Sequence, residues 1–382
     1  MGEAIGIEDA LSRILRDYRE MIPVGTSSLK NMMDDAFRDE KGEVFGMEDI
    51  RFQSLFYDKV INDPTIQKYP PLLRTSKDYV QALMRCVEDR HEELHEELIY
   101  HYLDLLNRMK SSAGLPSQMA AAMKEDGISA VDCYKTYQME GEAKEDLYTI
   151  GYATTFNSVG MTTWEAGFLL AEYALDHKEQ FRGKRILELG SGLGITCAVI
   201  CRHLHPLQYI ASDYTHTIIR NLHRNLIIND VDVGEENFGE EEWAEEGKYF
   251  FGVDEDDVKR SILVKSLDWG QISRKTLEQH SALYSPVECI VAADVLYDPD
   301  LTELFLTVLG FFFELPGERV AYVAQTMRNP STMRHFEEKA KELSMHVEVV
   351  ATEAQVGRRF RYQPTTDLAI FLIIRRDATR ET

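Results

Sequence analysis

The segment Ile186-Leu187-Glu188-Leu189-Gly190-Ser191-Gly192-Leu193-Gly194 is an apolar strand that runs into a glycine turn, and a helix-forming stretch follows the turn. Glycine is needed in such a turn because a β-carbon would block close approach of the backbone to a ligand or forbid positive φ angles. The segment therefore predicts the first strand-turn-helix unit of an α/β sheet with a ligand at its turn. A tight turn that binds no ligand is the structural alternative.

Short apolar strands alternate with helical stretches from about Tyr148 onward, a pattern typical of a mostly parallel sheet with helices on both faces. The predicted strands are Arg185–Leu189, Tyr209–Ser212, Ile262–Leu267, Cys289–Ala292, Val320–Ala324, His346–Val350 and Leu368–Ile374. The predicted helices between them include Ile195–Leu204, Thr217–Ile228, Leu301–Phe313 and Ser331–Leu343. The sequence thus predicts an α/β fold with a seven-stranded, Rossmann-like sheet.

The first part of the chain has a different pattern, in which apolar residues recur every three or four positions, as in Thr75–Glu92 and Glu93–Met109. We therefore predict a helical N-terminal domain over residues 1–145 and the α/β domain over residues 146–382. Residues 231–258 contain twelve acids and one lysine. This stretch is predicted to be a surface insertion, either a solvated loop or a docking element that uses its aromatic residues.

Asp213 ends the second predicted strand, 21 residues beyond Gly192. A carboxylate at this place can accept hydrogen bonds from both hydroxyls of a ribose, which indicates an adenosine-containing ligand but does not separate NAD from S-adenosylmethionine. The dinucleotide pattern GxGxxG requires a third glycine, yet Ile195 or Cys197 stands there, depending on the register. The less constrained turn favours S-adenosylmethionine, which carries an amino acid in place of a pyrophosphate.

Two further strand ends carry candidate site residues. Trp269, after the third strand, could cover the adenine ring, with Asp268 near the exocyclic amine; an ordinary half-buried aromatic residue is the alternative. Asp294 and Tyr297, after the fourth strand, could orient an incoming lysine amine beside the departing methyl group, with positioning as the main source of rate. Asp294 could instead cap the helix that begins near Pro299.

The net charge is −23, from 42 basic and 65 acidic residues, which argues against binding that neutralises many phosphates. Direct nucleic-acid binding is therefore not expected. No apolar run is long enough to span a membrane, and Met1 to Glu20 carry acids among their apolar positions rather than the pattern of a secretory signal, so a membrane location is not expected either. The five scattered cysteines favour a reducing, cytoplasmic location, and the Cys197–Cys201 pair is interpreted as core thiols rather than a metal site.

The assembled residues resemble the seven-strand protein methyltransferases, whose signature after strand four is an acid, two residues and a tyrosine, here Asp294 to Tyr297. Within that group the chain looks most like the elongation factor 2 lysine methyltransferase family. Segments similar to that family are Arg74–Tyr79, Glu93–Leu98, Cys133–Tyr137, Thr162–Ala166, Glu188–Gly192, Val291–Tyr297 and Met327–Pro330.

This resemblance implies methyl transfer from S-adenosylmethionine to a protein lysine, with elongation factor 2 as the substrate and the helical domain in substrate recognition. It also implies a set of cofactor contacts: Trp164, Gly190, Ser191, Gly192, Asp213, Trp269 and Ala293. By position alone, Trp164 could equally be a core residue. The acidic stretch of residues 231–258 is longer than the family pattern and could alter docking.

Three alternatives remain at this stage. A methyltransferase of nucleic acid or of an amide nitrogen would more often present an Asn-Pro-Pro-aromatic strand end, which Asp294-Val295-Leu296-Tyr297 is not. The substrate could be another protein. The fold could also serve a non-catalytic binding protein, although the intact set of glycines and acids disfavours this.

Overall fold

A computed structural model describes residues 4–113, 133–140, 146–152, 162–233, 261–364 and 366–375. Most of the acidic stretch at residues 231–258 lies outside these ranges. The chain divides into two compact units, one of Met1–Gln138 with Thr149–Thr155, the other of Met139–Tyr148 with Phe156–Thr382. Each unit is described separately below.

The first unit is mainly helical, as the sequence predicts. Its helices are α1 (Ile7–Arg19), α2 (Ser28–Asn31), α3 (Ile50–Phe56), α4 (Pro64–Lys68), α5 (Leu73–Asp89) and α6 (Glu96–Ala113), with a 3-10 turn at Val24–Thr26 and a π-helical turn at Tyr57–Ile61. The two long helices coincide closely with the predicted amphipathic stretches. On α5 the side chains of Tyr79, Val80, Leu83 and Val87 are fully buried, and they follow the helical repeat that indicated this helix.

A small sheet accompanies these helices. Its strands are β1 (Ile5–Gly6), β2 (Phe37–Arg38) and β3 (Val44–Phe45), paired in that order. Each strand has two residues, which is too short to show the alternation of polar and apolar residues that predicts a strand. This explains why the sequence gives no signal for them.

The prediction that residues 1–145 are helical is wrong at their end, where β4 (Cys133–Met139) pairs with β5 (Asp146–Tyr152). Thr136 and Thr149 share a hydrogen bond of 3.0 Å between their hydroxyls. The segment Cys-Tyr-Lys-Thr-Tyr-Gln-Met is rich in aromatic and β-branched residues, which favour strands. The composition of residues 133–139 therefore favours a strand, although the region before them is helical.

The second unit contains the predicted seven-stranded sheet. Its strands are β6 (Arg185–Leu189), β7 (Gln208–Asp213), β8 (Ile262–Ser266), β9 (Cys289–Ala293), β10 (Val320–Thr326), β11 (Met345–Thr352) and β12 (Leu368–Arg375). The order across the sheet is β11-β12-β10-β9-β6-β7-β8. The neighbours among β8, β7, β6, β9 and β10 are parallel, and β12 is antiparallel to both β10 and β11.

The long helices of this unit also agree with the predicted positions, whereas the short helices over Arg274–Gln279 and Ser281–Tyr284 were not predicted. The helices are α7 (Glu165–Asp176), α8 (Ile195–Leu204), α9 (His216–Ile228), α10 (Arg274–Gln279), α11 (Ser281–Tyr284), α12 (Pro299–Glu314) and α13 (Pro330–Glu342), with 3-10 turns at Lys178–Gln180 and Glu353–Gln355. Side chains of Thr215, Asp298 and Asn329 accept backbone hydrogen bonds at the starts of α9, α12 and α13. Proline occupies the first position of the last two, where its missing N–H costs nothing.

The central strands are buried on both faces, and Leu187, Ile210, Ile290 and Val323 belong to one apolar cluster with the covering helices. Because β6, β7, β9 and β10 are parallel, the segments that follow them leave from one edge of the sheet, its carboxyl edge. Within the described residues, every helix is too short or too polar to cross a membrane.

Candidate active site

The turn between β6 and α8 holds three glycines in the left-handed region, with φ angles of +76° at Gly190, +53° at Gly192 and +89° at Gly194. A β-carbon on Gly190 would lie 3.1 Å from Val295 Cγ1, and one on Gly194 would lie 2.5 Å from Leu222 Cδ1. The positive φ angles therefore favour glycine at positions 190 and 194, and an added β-carbon would also require the Val295 or Leu222 side chain to shift.

Ser191 fastens this turn to β7. The N–H groups of Gly190 and Ser191 both donate to the carbonyl oxygen of Ser212, at 3.0 and 2.8 Å. The Ser191 hydroxyl in turn accepts the N–H of Ser212 at 3.0 Å. The Ser191 side chain is thus engaged within the protein, and its contact with a cofactor stays a prediction.

Asp213 joins the end of β7 to the glycine turn. Its Oδ2 accepts the N–H of Gly192 at 2.9 Å, and its Oδ1 accepts the N–H of Tyr214 at 2.8 Å. Burial raises the pKa of the Asp213 carboxyl, while these two backbone N–H groups lower it. A carboxylate has about four acceptor positions. The remaining capacity suits the predicted bonds to ribose hydroxyls.

Trp269 lies beside the glycine turn. A β-carbon on Gly190 would be 3.7 Å from Trp269 Cζ2, and the indole packs against Phe305 at a ring separation of 5.5 Å. The Trp269 side chain is partly buried. The neighbouring Asp268 carboxylate accepts hydrogen bonds from the Gly270 N–H and the Gln271 amide within its own turn. The indole is therefore placed to form one wall above the glycine turn.

Asp294 follows β9 in the left-handed region, with a φ angle of +53°, which is uncommon for a residue other than glycine. Its Oδ1 accepts the Gln325 amide at 3.2 Å and the Thr326 N–H at 2.8 Å. Its Oδ2 accepts the Thr326 hydroxyl at 2.8 Å. Burial raises the pKa of the Asp294 carboxyl, against the lowering effect of the Thr326 hydrogen bonds and the Arg328 charge.

The capping alternative for Asp294 is not what the structure shows. Asp298 caps α12, because its Oδ1 accepts the N–H groups of Asp300 and Leu301 at 3.0 and 3.1 Å. Tyr297 is 48% exposed. Burial of its phenol, together with the charges of Tyr214, Asp213 and Asp298, raises its pKa. Tyr297 therefore belongs to the same carboxyl edge as the acid that ends β7.

Trp164 and Asp294 are connected by Arg328, which the sequence did not single out as a site residue. The Arg328 guanidinium lies over the Trp164 ring, 4.5 Å from its centroid. Its Nη2 is 3.5 Å from Asp294 Oδ2 and 3.9 Å from Glu165 Oε2. Trp164 immediately precedes α7 and Arg328 follows β10, so residues distant in sequence meet at the carboxyl edge.

The predicted site residues thus form two connected groups among the described residues. Gly190, Ser191, Gly192, Asp213 and Trp269 surround the glycine turn, whereas Trp164 and Asp294 meet through Arg328. Ala293 ends β9 between them and pairs with Ala324 of β10. The sequence also did not predict Gln325 and Thr326 as site residues. They donate hydrogen bonds to Asp294 from the neighbouring strand β10, and no sequence pattern indicates such a contact.

Glu188 is a buried acid beneath the turn. Its Oε2 accepts the hydroxyl of Tyr209 at 3.0 Å, and its side chain is 1% exposed. Burial raises the pKa of Glu188 to about 7, against hydrogen bonds from Ser191, Tyr209 and Thr196 that lower it. Glu188 therefore titrates near neutral pH inside the core.

The fold and this edge define the class of the protein. The sheet is parallel except for one antiparallel strand inserted beside its edge strand. A glycine turn follows the first strand of the sheet, and an acid ends the second strand. These features together define an S-adenosylmethionine-dependent methyltransferase. In agreement, residues 145–251 match a family model described as lysine methyltransferase.

Curated relatives extend the similarity over most of the chain. The protein-lysine N-methyltransferases EEF2KMT of Bos taurus and Homo sapiens are both 27% identical to it, over 82% of this chain and 83% of theirs. The protein-lysine N-methyltransferase EFM3 of Chaetomium thermophilum is 24% identical, over 76% of this chain and 79% of its own. The chain is thus similar, over most of its length, to protein-lysine N-methyltransferases of animals and a fungus.

Proposed function

We propose that this protein transfers methyl groups from S-adenosylmethionine to a lysine side chain of translation elongation factor 2. The observation that carries the proposal is that two groups of residues, one suited to the cofactor and one to the substrate amine, lie close together on the carboxyl edge of the sheet. The Asp213 carboxylate and the glycine turn form an adenosine cradle, and Asp294 with Trp164 forms an acidic, aromatic lip beside it. The family match and the named relatives support the choice of a lysine in elongation factor 2.

The residues present fit the cofactor. Because Gly190 has no side chain, the backbone of the turn lies close to Val295 and the Trp269 ring, and Asp213 retains acceptor capacity toward a ribose. The residues that would hold the cofactor are Trp164, Gly190, Ser191, Gly192, Asp213, Trp269 and Ala293. When bound, S-adenosylmethionine supplies an electrophilic methyl group on a sulfonium.

The acidic lip serves the nucleophile. A lysine arrives as an ammonium, which the Asp294 carboxylate attracts and orients, and Tyr297, 48% exposed as a residue, stands at the same edge. The ammonium must lose its proton to solvent before the nitrogen lone pair can attack, and desolvation at this lip favours that loss because it destabilises the charged form. Most of the rate then comes from holding the nitrogen in line with the methyl group, and no covalent enzyme intermediate is required.

We further assign substrate recognition to the helical part, residues 1–145, and a cytoplasmic location to the reaction. The strongly acidic chain favours a protein over nucleic acid as the direct partner. All five cysteines are free and buried, which supports a reducing compartment. A chain that lacks residues 1–145 should bind the cofactor but fail to methylate folded elongation factor 2. Full activity of that truncated chain would refute the assignment.

The decisive experiment combines the purified protein, elongation factor 2 and S-adenosylmethionine with an isotopically heavy methyl group. Mass spectrometry of the digested substrate should locate heavy methyl groups on a lysine, and the Asp213→Ala variant should show little of this signal. If heavy methyl groups appeared instead on a different protein of a cell extract, that protein would replace elongation factor 2 as the proposed substrate. Cofactor binding without transfer to any protein would favour a binding protein instead.

A further inference from the structure

The contacts of Arg328 define a site that suits a cation. One face of an indole, the Trp164 ring, lies 4.5 Å from the guanidinium carbon, and two carboxylates, Asp294 and Glu165, lie 3.5 and 3.9 Å from one of its nitrogens. A face of an aromatic ring combined with acids is the environment that stabilises ammonium and guanidinium groups. In the free protein the protein's own arginine fills this site.

The Asp294 carboxylate has few directions left for another partner. Gln325 and Thr326 donate three hydrogen bonds to it from the side of β10. Its side chain is 5% exposed, and Arg328 covers Oδ2 at 3.5 Å. A substrate ammonium that approaches this carboxylate therefore meets the guanidinium first, and two cations cannot share the position without strong repulsion.

Arg328 is the part of this group that can move. Its side chain is 42% exposed and that of Glu165 is 33% exposed, whereas Asp294 is held by three hydrogen bonds from β10. The Arg328–Glu165 ion pair is exposed at both partners and stabilises the protein by about 1 kcal/mol or less, so breaking it is inexpensive, while at the buried Asp294 carboxylate the substrate ammonium replaces the guanidinium as the cation. The guanidinium can swing into solvent while the acids and the indole stay in place.

We infer that Glu165 and Asp294, together with the Trp164 ring that also borders the proposed cofactor site, form the subsite for the substrate ammonium, and that Arg328 occupies this subsite until the substrate displaces it. The inference rests on the proposed function for the identity of the substrate cation. Arg328 is thus a gating residue that competes with the substrate, rather than a catalytic one.

A binding experiment tests the subsite without any methyl transfer. The probe is n-butylammonium, which represents a lysine side chain, and saturation-transfer NMR reports its binding to the full chain. The Arg328→Gln variant should bind the probe about fivefold more tightly than wild type, the equivalent of one displaced exposed ion pair. Adding Asp294→Asn to that variant should abolish the gain. Equal binding by wild type and Arg328→Gln, or a gain that survives Asp294→Asn, would overturn the inference.

Kinetics on the protein substrate provide a second test. Arg328→Gln should lower KM for the substrate about two- to fivefold and leave kcat nearly unchanged, whereas Arg328→Lys, which keeps a cation in the subsite, should behave like wild type. A residue that merely positions Asp294 would instead lower kcat with KM unchanged, and that result would refute the gating role.

Arg182→Gln is the matched control, because it removes the same charge from an exposed arginine that precedes β6, at the opposite end of the strands. Measured melting temperatures close to that of wild type would show that each variant is folded. If no variant methylates elongation factor 2 while n-butylammonium still binds as expected, the proposed substrate is wrong and the ammonium subsite stands.

Discussion

The Asp213 carboxylate accepts the backbone N–H of Gly192 at 2.9 Å, across 21 residues of sequence. The acid predicted to bind the ribose and the turn predicted to approach the cofactor are therefore one connected unit. Any ligand bond made by the remaining acceptor positions of Asp213 also acts on the turn. Substitutions at either partner should consequently affect cofactor binding through the same structure.

Gly190→Ala should weaken S-adenosylmethionine binding by about tenfold or more, the equivalent of about 1.4 kcal/mol of lost contact. The added carbon would lie 3.1 Å from Val295 and 3.7 Å from the Trp269 ring, so the wall of the pocket must shift. Gly183→Ala is the control, because Gly183 also has a positive φ angle, +66°, with no atom within 4 Å of an added β-carbon. Calorimetry on both variants separates backbone strain from lost space. Equal affinities in wild type and Gly190→Ala would defeat the pocket assignment.

Asp213→Ala should weaken cofactor binding by about 1.5 to 3 kcal/mol, roughly 10- to 100-fold, because a charged acceptor and its hydrogen bonds are lost. The turn also loses the bond to the Gly192 N–H, so the effect should lie toward the upper end. Asp300→Ala removes an equal charge from an exposed position on α12 and should leave affinity unchanged. Isothermal titration measures both. Affinity retained by Asp213→Ala would exclude a ribose contact.

Asp294→Asn should keep cofactor affinity nearly intact and lower kcat, because it removes the negative charge at the lip. The variant can fold: an Asn oxygen can replace Oδ1, and the Thr326 hydroxyl can reverse to accept from the Asn amide. Asp298→Asn, four residues later, should be silent, because Asn caps a helix as well as Asp. Turnover equal to wild type in Asp294→Asn would remove this acid from the active site.

Tyr297→Phe should also lower kcat while the affinity for the cofactor is retained. Tyr297 is 48% exposed, so the loss of its hydroxyl should hardly change the melting temperature. Steady-state kinetics with saturating cofactor and a separate binding titration distinguish the two quantities. If Tyr297→Phe lost cofactor affinity instead, Tyr297 would be assigned to the adenosine cradle rather than to the site of the substrate amine.

Glu188 should make folding stability depend on pH near neutrality. Its pKa is about 7 in the folded protein against an ordinary value of 4.5, so the folded state binds more protons than the unfolded state between these values. The contribution of Glu188 to the free energy of unfolding should therefore fall as the pH rises from about 4.5 to 7, and then level off.

Urea unfolding of wild type and of Glu188→Gln between about pH 4.5 and 7 isolates the effect. The free energy of unfolding of wild type minus that of Glu188→Gln should decrease as the pH rises. Tyr209→Phe removes a hydrogen bond that lowers the pKa of Glu188 and should extend the decline to higher pH. A difference independent of pH would show that Glu188 does not titrate in this range.

The predicted strands and helices of the second unit agree with the structure because each has a strong local pattern. Helix α8 has the predicted bounds, Ile195 to Leu204, since a glycine turn precedes it and an apolar repeat runs through it. The two-residue strands β1 to β3 were missed because so short a segment has no period. Their pairing depends on contacts that are distant in sequence.

The site could be predicted in part for the same reason. Gly190, Asp213 and Asp294 stand at strand ends, where the fold class itself predicts ligand contacts. Arg328 has no such signal, because its role depends on which side chains of other strands and helices reach it. The left-handed backbone of Asp294 was equally hidden, since it results from the way the chain leaves β9 and its N–H donates to the Ala324 carbonyl.

The position of β12 in the sheet affects how the protein is made. Residues 368–375 pair on one side with β10 and on the other with β11, both of which the ribosome releases earlier. Until this segment emerges, β10 has an open edge and β11 has no partner strand, and such unpaired strands recruit other extended chains. A nascent chain halted after β11 should therefore be prone to aggregation and to capture by chaperones, although every residue of the proposed active site has already been synthesised.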